Sequence, residues 1–318
     1  MRKPDSPSSK ISQGYTLVEI LVSIVILLLV LIAVYSFFDQ GQWLYLGMEK
    51  QTESQQNVRI VVENLERDLR MIGGGVPNSV RVSVPQWWTP FIFTADKSKI
   101  YFFADIDSRN TLLTANAGSG AGNVAVEDAS VVCPSVGTPL VLVLELKTWQ
   151  PVQCTGIVGS TINISPATVQ AFPASTSTVF SPDTVFYRMT NDSNNDGVCD
   201  DLNGDGLTCL DSLTTGADFP FCNIEKAEVF GNDPDLDSDV TTAAFQVMAT
   251  NICEFKLEYF STNGLPINGG TVPLTGGFLS AVQRVKATVS AKARSSRGPG
   301  QYNDIRLTSD ILLRSAKY

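Results

Sequence analysis

The 318-residue sequence contains no histidine. That excludes serine–histidine and cysteine–histidine nucleophile pairs, histidine-ligated zinc and imidazole acid–base chemistry. Charge is also scarce, at 17% of residues, and it leans acidic: 23 Lys plus Arg face 32 Asp plus Glu, a net charge of −9. A chain with a pI near 4.6 is a poor partner for nucleic acid. There is no GxxxxGK[ST] phosphate loop. The run Gly118-Ser119-Gly120-Ala121-Gly122 lacks the last glycine of a dinucleotide fingerprint and reads as flexible linker or loop. No catalytic constellation is visible, and the composition argues against an enzyme. Wholesale disorder is excluded as well, because 43% of residues are hydrophobic. The length suffices for one large or two modest domains.

What is present is concentrated at the N-terminus. Residues 1–14 are polar, carry Arg2, Lys3 and Lys10, and end in Gly14. After Tyr15-Thr-Leu-Val-Glu19 comes a 19-residue run, Ile20–Phe38, moderated only by Ser23, Tyr35 and Ser36. As a helix it spans roughly 29 Å, the thickness of a bilayer core. A secretory signal would have a shorter core followed by a small-x-small cleavage site. Here the run passes straight into Asp39 and a polar helix. The basic residues lie upstream, so the positive-inside rule places the N-terminus in the cytoplasm and exports the remaining ~280 residues. Glu19 stands at the start of the span, where a carboxylate marks the interface or awaits a cationic partner.

Basic leader, Gly14, aromatic Tyr15, T-L-V-E and an apolar helix together resemble the prepilin signal of type IV pilins and type II secretion pseudopilins. The resemblance implies cleavage by a prepilin peptidase after Gly14 and methylation of the new terminus at Tyr15, where the family usually has Phe. It implies that Glu19 neutralises the amine of a neighbouring subunit during assembly. Removing the leader, with three basic residues and one acidic, takes the net charge from −9 to −11. Pairing Glu19 with an α-amine cancels two buried charges together.

Residues 39–75 read as an amphipathic second half of the same helix. Val58, Val61, Val62, Leu65, Leu69 and Ile72 form an apolar stripe at spacings of three and four. Glu63→Arg67 and Glu66→Arg70 are expected i,i+4 pairs, and Gly73-Gly74-Gly75 with Pro77 ends the helix. The run Leu65-Glu-Arg-Asp-Leu-Arg-Met-Ile-Gly-Gly74 resembles the helix end of PilW-type minor pilins and J-type pseudopilins, with Ile72 where a small residue is more usual. Major pilins are about half this size, which favours a minor subunit.

Residues 76–318 read as an exported β-rich head. Strands are expected at Lys99–Asp105, Pro139–Trp149, Asp183–Met189, Asn251–Phe260, Gln283–Arg294 and Ile305–Leu313, with a turn at Asn263-Gly264. A long helix packed on an antiparallel sheet makes the fold α+β. Trp87-Trp88, between Pro85 and Pro90, reads as core or subunit packing ahead of carbohydrate binding.

Six cysteines in an exported domain read as disulfides. Proximity in sequence favours Cys133–Cys154, Cys199–Cys209 and Cys222–Cys253. Residues 191–239 hold 13 acidic residues and one basic residue, Lys226. Within them Asp192-Ser-Asn194-Asn-Asp196-Gly and Asp201-Leu-Asn203-Gly-Asp205-Gly both match D-x-N-x-D-G, which sets oxygen ligands at alternate positions around a hard cation. The twelfth positions, Asn203 and Ser212, lack the closing carboxylate of an EF-hand. The loops are similar to thrombospondin type 3 or dockerin-like calcium repeats, with Asp200 and Asp211 as extra ligands; a solvated acidic loop is the alternative. The expected function is therefore a minor pilin of a type IV pilus, placed at the tip or in the initiation complex. The alternatives are a J-type pseudopilin of a type II secretion system and a calcium-dependent tip adhesin. Expected partners are major and other minor pilins, the prepilin peptidase, the inner-membrane assembly machinery and, before assembly, membrane lipid. The expected location is the inner membrane, then an extracellular pilus or a periplasmic pseudopilus.

Overall fold

The computed structural model describes residues 16–72, 92–104, 106, 108–144, 148–200, 222–230, 244–275, 277–294 and 302–313. One continuous helix, α1, runs from Leu17 to Arg70. Gly41 and Gly47 do not interrupt it. Its apolar half, from Leu17 to Phe38, is exposed around its whole circumference. Only from Ser54 onward does one face become buried, and Val58, Val61, Leu65 and Leu69 are then fully enclosed. An apolar helix with no neighbours is at home only in lipid or among other helices.

Two sheets receive the buried stripe. The first is five-stranded and antiparallel, in the order β1-β2-β9-β10-β11. It comprises β1 (Ile92–Ala95), β2 (Lys99–Ala104), β9 (Asp183–Met189), β10 (Ile224–Phe230) and β11 (Gln246–Ala249). The second is the meander β12 (Ile252–Phe260), β13 (Arg284–Arg294) and β14 (Tyr302–Leu312). On β12 the alternation is the one expected: Cys253, Phe255, Leu257 and Tyr259 are buried while Glu254, Lys256 and Glu258 are only partly so. One hydrophobic core joins α1 to one face of each sheet. The opposite face of the five-stranded sheet carries an aromatic layer of Phe93, Tyr101, Phe103 and Phe186.

A third sheet, absent from the sequence-based expectation, lies between β2 and β9 in the chain. Its six strands run in the order β3-β8-β5-β6-β7-β4. They are β3 (Asn110–Leu112), β4 (Asn123–Ala125), β5 (Pro139–Leu144), β6 (Thr148–Val158), β7 (Thr161–Ser165) and β8 (Ser177–Phe180). It has its own core, including Leu140, Leu142, Val152, Ile162, Phe172 and Val179. The expected single strand Pro139–Trp149 is a hairpin: Leu144 pairs with Thr148 and Val143 with Trp149. The glycine-rich run 118–122 is a loop but not a linker. Thr168 pins it, its Oγ1 accepting from the Ala121 amide at 2.9 Å and its carbonyl accepting from the Gly120 amide at 2.6 Å.

The disulfides correct the proximity argument. Cys133–Cys154 forms as expected, but Cys199 pairs with Cys222 at a Cα separation of 5.8 Å. That excludes both Cys199–Cys209 and Cys222–Cys253. Folding, not sequence distance, decides the pairing: the Cys199 amide donates to the Cys253 carbonyl, and the Ile252 amide donates to the Cys222 carbonyl. Cys253 is buried on β12, and Cys209 lies outside the described residues.

Candidate functional site

Three places hold the residues singled out above. The first is the start of α1. Thr16 is the N-cap, and its side chain accepts from the Glu19 amide at 3.3 Å. Glu19 reaches back, its carboxylate accepting from the Thr16 amide at 2.9 Å and the Thr16 hydroxyl at 3.1 Å. T-L-V-E is thus a capping box, satisfying donors that a helix end leaves open. Its signal in the sequence is the S/T-x-x-E spacing of Thr16 and Glu19. Glu19 therefore has a local partner while the chain stands alone. Beyond it the helix face is exposed leucine, valine and isoleucine, long and apolar enough to cross a membrane. Gly14 and Tyr15 lie outside the described residues.

The second place is the joint between α1 and the head, which sequence reasoning missed. Asp68, inside the L-E-R-D-L-R run, is fully buried. Its Oδ2 accepts from the Tyr187 hydroxyl at 2.5 Å and pairs with Lys226 Nζ at 2.5 Å; its Oδ1 accepts from Arg67 Nε at 2.9 Å. Tyr187 and Lys226 are direct cross-strand partners on β9 and β10. Lys226, the lone base of the acidic segment, thus points inward to neutralise a helix carboxylate. Burial, with the adjacent Asp68 carboxylate, holds the Tyr187 phenol protonated far above its usual range. Arg67 is drawn to Asp68, so the expected Glu63→Arg67 pair does not form. Glu63 instead pairs with Arg59 at 2.5 Å, while Glu66–Arg70 forms as expected. The signal available in the sequence was an aspartate standing on the apolar side of a helix between Leu65 and Leu69.

The third place is the first acidic loop. Asp192 accepts from the amides of Asp196 at 3.1 Å and Gly197 at 3.0 Å, Asn194 Oδ1 from Asp196 at 2.9 Å, and Asp196 Oδ1 from Val198 at 2.8 Å. Asp200 accepts from the Ser193 amide at 2.7 Å. Asp192 is buried; Asn194 and Asp196 are more open. Gly197 has φ +84°, and a Cβ there would sit 2.8 Å from the Phe255 carbonyl oxygen. The loop is thereby locked against β12, its oxygens gathered around its own amides. Among the described residues no three acidic or thiol side chains converge on one metal-sized point. Asp201, Asn203, Asp205 and Asp211 lie outside the described residues, as do Trp87 and Trp88.

Set against known families, residues 9–35 match the model of the prokaryotic N-terminal methylation motif. This chain carries a prepilin-type signal. With the long apolar helix it fits a type IV pilin-like or pseudopilin-like protein, anchored in a membrane by its N-terminus. Such a signal implies processing by prepilin peptidase and assembly with other pilins, and it points to structural subunits rather than enzymes. No curated protein matches the chain.

Proposed function

We propose that the chain is a minor pilin of a type IV pilus, cleaved after Gly14, methylated at Tyr15 and built into the fibre tip or initiation complex. The observation that carries this reading is the form of α1. Its first half projects bare from the head, apolar on every side, and its second half is fixed in the core. Such a helix has two environments available, the bilayer before assembly and a bundle of like helices afterwards. The head adds a six-stranded unit beyond what is needed to seat the helix, a bulk that suits an end of a fibre better than every position along it.

The mechanism follows from the capping box. In the membrane, the Thr16 amide and hydroxyl hold the Glu19 carboxylate, reducing the cost of keeping it at the edge of an apolar layer. Cleavage at Gly14 creates an α-amine close by in sequence. On assembly, the Glu19 carboxylate meets the amine of the neighbouring subunit, and the two charges enter the fibre as a pair. Gly14 sets the cut, Tyr15 the terminus and Glu19 the docking charge.

Intact-mass measurement of protein extracted from membranes tests the processing step. A mature chain beginning at a methylated Tyr15 is expected; a start at Met1 or beyond Phe38 refutes it. Glu19→Ala tests assembly: cleaved protein should remain in the membrane and be absent from sheared fibres. Loss of surface fibres on deletion supports the pilus reading, whereas loss of exoprotein secretion with intact fibres supports the J-type pseudopilin.

A further inference from the structure

The joint at Asp68 holds more chemistry than a structural ion pair requires. A lysine amine and a carboxylate meet at the edge of the core, with the carboxylate fully enclosed and the Lys226 side chain 12% exposed. Lys226 Nζ is also in contact with Glu228 Oε1, two residues on along the same face of β10 and 43% exposed. Arg67 Nε holds one carboxylate oxygen and the Tyr187 hydroxyl holds the other. Nucleophile, proton acceptor, electrophile and stabiliser of a developing oxyanion are therefore together: the core holds Asp68, Tyr187 and Lys226, and Arg67 and Glu228 reach them from the solvent-facing rim.

We propose that Lys226 and Asp68 condense to an intramolecular isopeptide bond, joining the end of α1 to a central strand of the five-stranded sheet. Glu228 takes a proton from the Lys226 ammonium. The freed amine attacks Asp68 Cγ, forming the N–Cγ bond, and negative charge on Oδ1 is met by the Arg67 guanidinium. The Cγ–Oδ2 bond then breaks. Oδ2, hydrogen-bonded by Tyr187, leaves as water with the second amine proton and the proton returned by Glu228. Ammonium plus carboxylate thus gives amide plus one water, with no oxidant, reductant or outside acid. Held reactants gain effective molarities on the order of 10⁵–10⁸ M, which offsets the association cost that makes this condensation poor between separate molecules in water. The product carries no charge, so it also removes the standing cost of two desolvated ions. For a subunit held by its helix and loaded through its head, tension would cross a covalent bond rather than an ion pair.

Peptide mass mapping of the reduced, mature full-length chain tests this. The expected result is an intact mass lower by one water and a branched tryptic peptide in which Asp68–Arg70 is attached to Met189–Lys256, uncut at Lys226. Full intact mass, with Lys226 cut and Asp68–Arg70 free, overturns the proposal. Lys226→Arg keeps the ion pair but cannot form the amide, and it should restore the missing water. If Lys226→Arg still lacks one water, the loss lies elsewhere and the assignment is wrong. Glu228→Gln should lower the cross-linked fraction at least tenfold after a fixed time from synthesis; an unchanged fraction removes Glu228 from the mechanism.

Discussion

Replacing Gly197 by alanine probes how the acidic loop is fastened to the head. The position has φ +84°, in the left-handed region, which costs an alanine roughly 1–2 kcal/mol. The new Cβ would stand 2.8 Å from the Phe255 carbonyl oxygen and 3.2 Å from Lys256 Cα. Both are backbone atoms of β12, so no side-chain rotation relieves the contact. Separation would stretch the 2.9 Å bond from the Phe255 amide to the Gly197 carbonyl, and a lost hydrogen bond costs roughly another 1 kcal/mol. The sum is about 2–3 kcal/mol. For a folded part of 150–250 residues, that lowers Tm by roughly 4–12 °C. The assay is thermal unfolding of the mature protein in detergent, followed by near-ultraviolet circular dichroism. Gly264→Ala is the control: φ is +72°, yet nothing lies within 4 Å of its Cβ. It carries the conformational penalty alone. If the two variants melt together, close packing of the loop on β12 contributes nothing and the reasoning fails.

Two further predictions concern ionisation and cation binding. Burial raises Tyr101, Tyr187 and Tyr259 above the ordinary tyrosine value, so the folded state keeps protons that the unfolded chain releases above about pH 10. Stability from these groups is complete below that pH and is lost as pH rises through it; in an ultraviolet titration, three of the eight tyrosines should ionise only together with unfolding. Calcium at a hundredfold excess over its Kd should add about 2.7 kcal/mol to the mature protein relative to chelator, with magnesium doing less and Asp196→Ala plus Asp205→Ala abolishing the difference. If calcium changes neither the melting curve nor the protease sensitivity of residues 191–211, the segment is a solvated acidic loop.

Legibility followed the length and period of each signal. The apolar run and the stripe from Val58 to Ile72 were plain, because one burial direction repeats over many turns. β12 and β13 were plain for the same reason, with period two. The three-residue strands Asn110–Leu112 and Asn123–Ala125 are too short to repeat anything, and their burial is decided by partners elsewhere in the chain. Leu144 and Thr148 looked continuous because a hairpin between two apolar arms leaves no composition change except at the turn. In the sequence Asp68 is only one residue of the L-E-R-D-L-R run. Its meaning depends on Tyr187 and Lys226, which are more than a hundred residues away and adjacent only after β9 and β10 pair. The cysteine pairing failed similarly: Cys199 and Cys222 are brought together by the end of β12, which neither of them belongs to.

The same topology shows which part of the head the helix can do without. Ala104 at the end of β2 and Asp183 at the start of β9 are directly paired, so the chain leaves and re-enters the five-stranded sheet at one hairpin position. The six-stranded sheet between them has a separate core, closed by its own Cys133–Cys154 bridge, and a smaller cluster of Val141, Val143, Trp149 and Phe180, while Ile106 packs against the cluster that seats α1. No residue of that core belongs to the cluster that seats α1, in which β2 and β9 take part through Ile100, Phe102, Val185, Tyr187 and Met189. Replacing residues 105–182 by a two-residue Asn-Gly turn, which suits a right-twisted antiparallel pair, should leave β2 and β9 in register. The shortened chain should be exported, resist protease in its remaining head and enter fibres through the unchanged α1. Any loss should be in what the head does at the fibre end, read as surface attachment or fibre initiation. Degradation of the shortened chain before export, with wild-type processing of the full-length control, would mean that the six-stranded unit is part of the helix-seating fold rather than an addition to it.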